Sequence, residues 1–124
     1  GVGWARRLRR ELDRRLQTEP LERFVQAWGL SNAAAAEIFG VSRQAFAKWL
    51  AQAPPAVRMP AVADLGAATE LLERYVKRER IAALVRRRAP ALGGRSLLEL
   101  AGAGKTAEVL EAVRSTFELR RVQP

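Results

Sequence analysis

Three side chains carry the clearest chemistry in this sequence: Arg43, Gln44 and Lys48, on one short stretch between Ser42 and Leu50. A glutamine amide pairs with adenine N6 and N7, an arginine fork takes guanine O6 and N7 or a phosphate, and a lysine reaches backbone or base. On a helix whose inner positions are Phe46, Trp49 and Leu50, the residues Arg43, Gln44, Ala47, Lys48 and Ala51 face outward together. Covalent chemistry has much less to work with. The chain has no cysteine and no histidine, so it lacks a thiolate, an imidazole base and the usual zinc ligands. The expectation is a binding protein and not an enzyme, with no metal and no cofactor.

Such a helix must be held by a second one. The segment from Leu30 to Leu50 has the spacing of a helix-turn-helix. Ser31 and Ser42 are N-cap candidates eleven residues apart. Gly40 between them turns the corner with a positive φ that a Cβ would penalise. Ala36 is small where the two helices cross. Ile38, Phe39, Val41, Phe46, Trp49 and Leu50 supply the apolar side of the pair. The site expected for DNA is Ser42, Arg43, Gln44, Ala47 and Lys48, amino-terminal residues first, in the major groove. A plain helical hairpin with Arg43, Gln44 and Lys48 merely solvated is the other reading.

The charge points to an anionic partner. In 124 residues there are 22 Lys+Arg against 13 Asp+Glu, a net +9, and the sequence pI is about 11.4. Of the basic residues 19 are arginine. That suits planar contacts to phosphate and guanine, although a GC-rich genome gives the same bias. Arg6, Arg7, Arg9, Arg10, Arg14 and Arg15 surround an apolar stripe of Trp4, Leu8, Leu12 and Leu16 on a helix expected over residues 4–18. This basic face fits a solvated surface, a contact to phosphate, or a helix reaching a partner protein. No apolar run approaches the length of about 18 residues that a membrane span needs, and no signal-like segment opens the chain. The expectation is a cytoplasmic chain with no membrane contact.

The remaining residues also read as helix, with no period-2 alternation and no sheet expected. Pro20 opens a second helix ending at Trp28–Gly29. Pro54, Pro55 and Pro60 mark residues 52–60 as the best boundary. This divides the chain into a helix-turn-helix domain at 1–59 and a second helical domain at 60–124. Val62, Leu65, Ala68, Leu72, Tyr75 and Val76 form one long helical face. Leu65, Leu72 and Tyr75 are its candidate dimer contacts, with an ordinary core as the alternative. Ser96 and Glu99 have capping-box spacing ahead of a short helix closed by Gly102. A last helix is expected at about 106–119, carrying Val109, Leu110, Val113 and Phe117.

Two features are decoys. Gly102-Ala-Gly-Lys-Thr106 suggests a phosphate-binding loop, but Glu99 stands where that pattern needs its first glycine, and no strand precedes it. The carboxylates Glu70, Glu73, Glu108 and Glu111, beside Arg74, Lys77 and Arg114, suit surface ion pairs better than acid–base work.

From Arg80 to Phe117, with Arg88-Ala-Pro-Ala-Leu-Gly-Gly-Arg-Ser-Leu-Leu-Glu-Leu-Ala101 at its centre, the chain resembles the toxin-binding domain of Xre/MbcA/ParS-type antitoxins. Pro90, Leu92, Gly93, Gly94, Ser96, Leu98, Glu99 and Leu100 fit the motif. Leu97 departs from it, standing where the family usually has proline, a change that spares the helix because proline there only pre-sets φ. The helix-turn-helix lies upstream as in that family, so the likeness covers about residues 28–118 and leaves out 1–27.

The resemblance implies an all-α antitoxin, a homodimer that binds a RES-domain, NAD-consuming toxin through its second half and represses its own operon on double-stranded DNA. The toxin would hold the enzyme activity. Toxin contact would fall on Arg87, Arg88, Pro90, Leu92, Gly93, Gly94, Arg95 and Ser96. The residues alone say less: a Pro-Gly-Gly corner that shapes a surface with Arg87, Arg88 and Arg95, or one that simply joins two helices. A stand-alone dimeric transcriptional regulator is the alternative function. The tail Leu119–Pro124 is a further candidate for reaching a partner.

Overall fold

The computed structural model describes residues 2–122, and side chains over 2–118. Among these residues it is all-helical: α1 Gly3–Ala27, α2 Asn32–Phe39, α3 Arg43–Gln52, α4 Met59–Tyr75, α5 Arg78–Arg86, α6 Leu97–Gly102 and α7 Thr106–Val122. Single 3-10 turns sit at Ala56–Arg58 and Pro90–Leu92. The β-like pairing described is one isolated antiparallel bridge between Ala89 and Arg95.

The first departure from expectation is in α1. Gly3–Ala27 is one helix and not two, with Pro20 inside it. A proline in mid-helix removes one ladder bond and crowds the preceding turn. Here its ring lies against α4, where a Cβ built on Gly66 would come within 2.9 Å of the Pro20 Cβ. Glycine at 66 is therefore what lets the two helices meet around that ring. The carboxyl half of α1 is sunk in the core through Leu21, Phe24 and Trp28, whereas the stripe Trp4, Leu8, Leu12 and Leu16 stays exposed.

Helix α4 is the spine, packed between α1 and α7. Leu65 and Leu72 are fully buried in the chain's own core. Tyr75 stacks on Phe117 with ring centroids 5.2 Å apart. Of the face considered for dimerisation, Leu65 and Leu72 are thus covered within the chain, whereas Tyr75 stays 39 % exposed beside Phe117. A periodic apolar face states that something covers it, not what does.

One contiguous hydrophobic cluster runs from Leu21 to Val113. The linker is short: Pro54 is buried and the 3-10 turn leads straight into α4. A boundary at 59/60 therefore falls within a shared core, crossed by a hydrogen bond from the Trp28 Nε1 to the Thr69 hydroxyl at 3.0 Å. Phe39 anchors the first three helices, lying 6.4 Å from Phe24, 5.9 Å from Phe46 and 5.5 Å from Trp49 between ring centroids. Such aromatic pairs contribute about 0.5–1.5 kcal/mol each beyond the area they bury.

Candidate nucleic-acid and partner interfaces

The turn between α2 and α3 is built by the residues that the sequence singles out. Gly40 takes φ 66°, ψ 33°. Its amide bonds the Glu37 carbonyl and the Val41 amide bonds that of Ala36, the paired closure of a Schellman motif. The Ser31 hydroxyl accepts from the Ala34 amide at 3.1 Å, and the Ser42 hydroxyl from the Ala45 amide at 3.0 Å. Ala36 is buried at the crossing, as are Phe46 and Trp49 on the inner side of α3.

That packing leaves Arg43, Gln44, Ala47, Lys48 and Ala51 exposed on one side. Ser31, Asn32, Ala33, Arg43, Gln44 and Ala47 line an open groove of about 500 Å³ between the amino ends of α2 and α3. Both helix amino termini, with their partial positive charge, open into it. The arginine-rich helix meets the opposite, carboxyl end of α3: Arg14 donates from Nη1 to the carbonyl of Ala51 at 3.4 Å, while its Nη2 is paired with Glu11. Those arginines hold the Glu11 carboxyl below its ordinary range, Arg14 foremost. The basic face of α1 thus touches α3 at its carboxyl end, through Arg14 and Ala51.

The second candidate surface is the corner at 87–96. Ala89 and Arg95 close it through the Ala89 amide on the Arg95 carbonyl at 3.2 Å and the Gly94 amide on the Ala89 carbonyl at 3.0 Å. Gly93 and Gly94 have φ 69° and 79°. Ser96 is the cap of α6: its hydroxyl accepts from the Glu99 amide at 3.0 Å, and its amide donates to the Glu99 carboxylate at 3.1 Å. Being 2 % exposed, Ser96 shapes the corner from beneath. Arg88 is held by Glu99, Nε to Oε1 at 2.9 Å and Nη2 to Oε2 at 3.2 Å. This contact, with the Ser96 amide, holds the Glu99 carboxyl low and raises Arg88. Arg87, Pro90, Gly93 and Gly94 are exposed, and Arg95 is half-buried. Leu92 and Arg87 border an apolar groove of about 360 Å³ floored by Leu72, Leu97 and Val113.

No protein-family model, curated protein or solved structure matches the chain.

Three positioning residues were not foreseen. Arg86 donates to the carbonyls of Trp28 at 2.7 Å and Gly29 at 3.3 Å, closing the carboxyl end of α1. Arg58 does the same for α2, with Nη1 on the Phe39 carbonyl at 2.9 Å and its guanidinium 5.5 Å from the Trp49 ring centroid. Thr69 is the third, receiving Trp28 and donating to the Leu65 carbonyl at 2.7 Å. The ion pairs of Glu70 and Glu73 run to Arg23 of α1, at 3.8 and 3.4 Å, and not to Arg74 or Lys77. In the glycine-rich turn, Thr106 donates to Asp64 at 3.0 Å, tying α7 to α4. The candidate tail Leu119–Pro124 has its side chains outside the described residues. No helix among the described residues is long and apolar enough to cross a membrane.

Proposed function

We propose that this chain is a homodimeric, sequence-specific DNA-binding antitoxin. Its first half would be a helix-turn-helix that represses its own operon in the cytoplasm, and its second half would hold and neutralise a RES-domain toxin. The observation that carries the DNA part is the exposure of Arg43, Gln44, Ala47 and Lys48 on one side of α3, a helix whose carboxyl end Arg14 of α1 reaches at Ala51. Base-reading and phosphate-binding side chains on contiguous surface are the two components of duplex recognition. Two copies then suit half-sites about one helical turn apart.

The toxin part rests on the resemblance around Pro90–Leu100 and on the shape of that corner, a rigid rim beside an apolar groove. In this reading the chain performs no catalysis and needs no cofactor. The stand-alone regulator differs from it only in lacking the toxin.

A duplex carrying the DNA upstream of the gene, titrated with chain across a salt series, tests the first half. Affinity should fall steeply with salt, with a slope that counts neutralised phosphates. A flat slope refutes duplex binding. Co-expression with the product of the neighbouring gene tests the second half: a stable complex that suppresses NAD loss supports the antitoxin. Failure to co-purify, with duplex binding retained, leaves the stand-alone regulator.

A further inference from the structure

The amino-terminal part of α1 carries an apolar ridge that no described residue covers. Val2, Trp4, Leu8, Leu12 and Leu16 are 51–72 % exposed. Four of them recur at spacing four, the ridge by which helices interdigitate. At the end of that ridge lies a groove of about 320 Å³ between α1 and α4, bordered by Leu16, Pro20, Ala63 and Ala67 with Glu19 and Glu70 at its edge.

A ridge with a large aromatic at one end and a small-residue groove at the other is complementary to itself when inverted. We propose that a second copy of this chain covers it, with the two α1 helices antiparallel: Leu8 against the other copy's Leu12, and Trp4 seated at the other copy's Leu16 and its groove. A two-fold axis makes every such contact twice. Charge agrees with this direction. Residues 2–10 hold Arg6, Arg7, Arg9 and Arg10 with no carboxylate, and inversion brings this end to Glu19 and to Glu70, which already lies 3.8 Å from Arg23 at the same groove. A parallel pair would stack the arginines of one copy on those of the other. Area agrees too: covering the five side chains removes roughly 600 Å² per copy, about 1,200 Å² in all, the lower bound of a stable interface. An aromatic in a pocket at each end is the usual form of an energetic anchor.

The inference supplies the interface for the homodimer of the proposed function and rests on that reading only for the need of two copies. It is tested on the full chain by sedimentation. The wild type should be a dimer at micromolar concentration, and Leu12→Glu should weaken association about thirtyfold or more at unchanged helicity. Trp4→Ala, at the tip of the arm, should act in the same direction and keeps the test open should Leu12→Glu impair folding. Since the chain has no cysteine, Leu8→Cys and Leu12→Cys chains can be mixed and oxidised. Predominant Leu8–Leu12 cross-links support the antiparallel seat; predominant Leu8–Leu8 cross-links overturn it. A wild-type monomer overturns the proposal, including one that binds anionic vesicles or an acidic helix through this ridge. So does a dimer indifferent to both variants. A dimer of this geometry that binds neither duplex nor the neighbouring gene's product refutes the proposed function and leaves the interface standing.

Discussion

The Trp28 indole N–H donates to the Thr69 hydroxyl, which in turn donates to the Leu65 carbonyl, and both side chains are closed to solvent. The pair joins α1 to α4 across the middle of the chain. Thr69→Val keeps the shape and removes the acceptor, leaving a buried donor unpaired. The expected cost is about 1–3 kcal/mol in urea unfolding, with Thr69→Ser close to wild type. A neutral Thr69→Val would show that the bond contributes nothing net.

Gly40→Ala isolates the conformational part of the α2–α3 turn, because a Cβ there meets nothing within 4 Å. The remaining penalty is the left-handed backbone itself, about 1–2 kcal/mol for a residue with a side chain. Gly40→Asn should recover part of that loss. Chemical denaturation of the three chains measures it.

On the outward face of α3, Arg43→Ala and Gln44→Ala should each leave the thermal midpoint within about two degrees, since both side chains are exposed and surface changes of this kind are near neutral. Each should weaken a specific duplex by about 1–3 kcal/mol. Equal losses on scrambled DNA would mark the two as phosphate contacts only.

The Arg88–Glu99–Ser96 contact has a pH signature. Glu99 in the fold titrates below its ordinary 4.5, so the stability it adds is complete above that pH and fades as acid carries the solution through the lower, folded value. Glu99→Gln should therefore lower the melting temperature near neutrality, and the two melting curves should converge on acidification below about pH 4.5. A gap independent of pH would assign the effect to the cap alone.

Local signals were the legible ones. Ser31, Gly40, Ser42 and the Ser96–Glu99 pair announce caps and turns through a few neighbouring atoms, and each does that work in the fold. Pro20 misled because its tolerance inside α1 depends on Gly66, forty-six positions away, leaving room for the ring. Arg86 and Arg58 were hidden for a related reason: their acceptors are carbonyls 58 and 19 residues distant, which no spacing rule reaches. The arginine run at 86–88 looks uniform in sequence, yet one member clamps α1, one is paired with Glu99 and Arg87 is exposed. The outward side chains of α3 hang on those same local caps, whereas at the Pro90–Ser96 corner Ser96, expected at a contact surface, is buried because its hydroxyl and amide are both spent on the cap with Glu99.

Proline at position 20 also divides α1 in time. A missing amide there interrupts the ladder at the point where the helix leaves the core. Residues 21–27 can open only when the buried cluster opens, whereas the arm before Pro20 can fray alone. Deuterium should therefore enter the arm's amides within a short labelling pulse and reach Phe24 and Val25 only on the scale of global unfolding. Whatever covers the arm must also still it, so slowed exchange confined to residues before Pro20 would report occupancy of that arm directly.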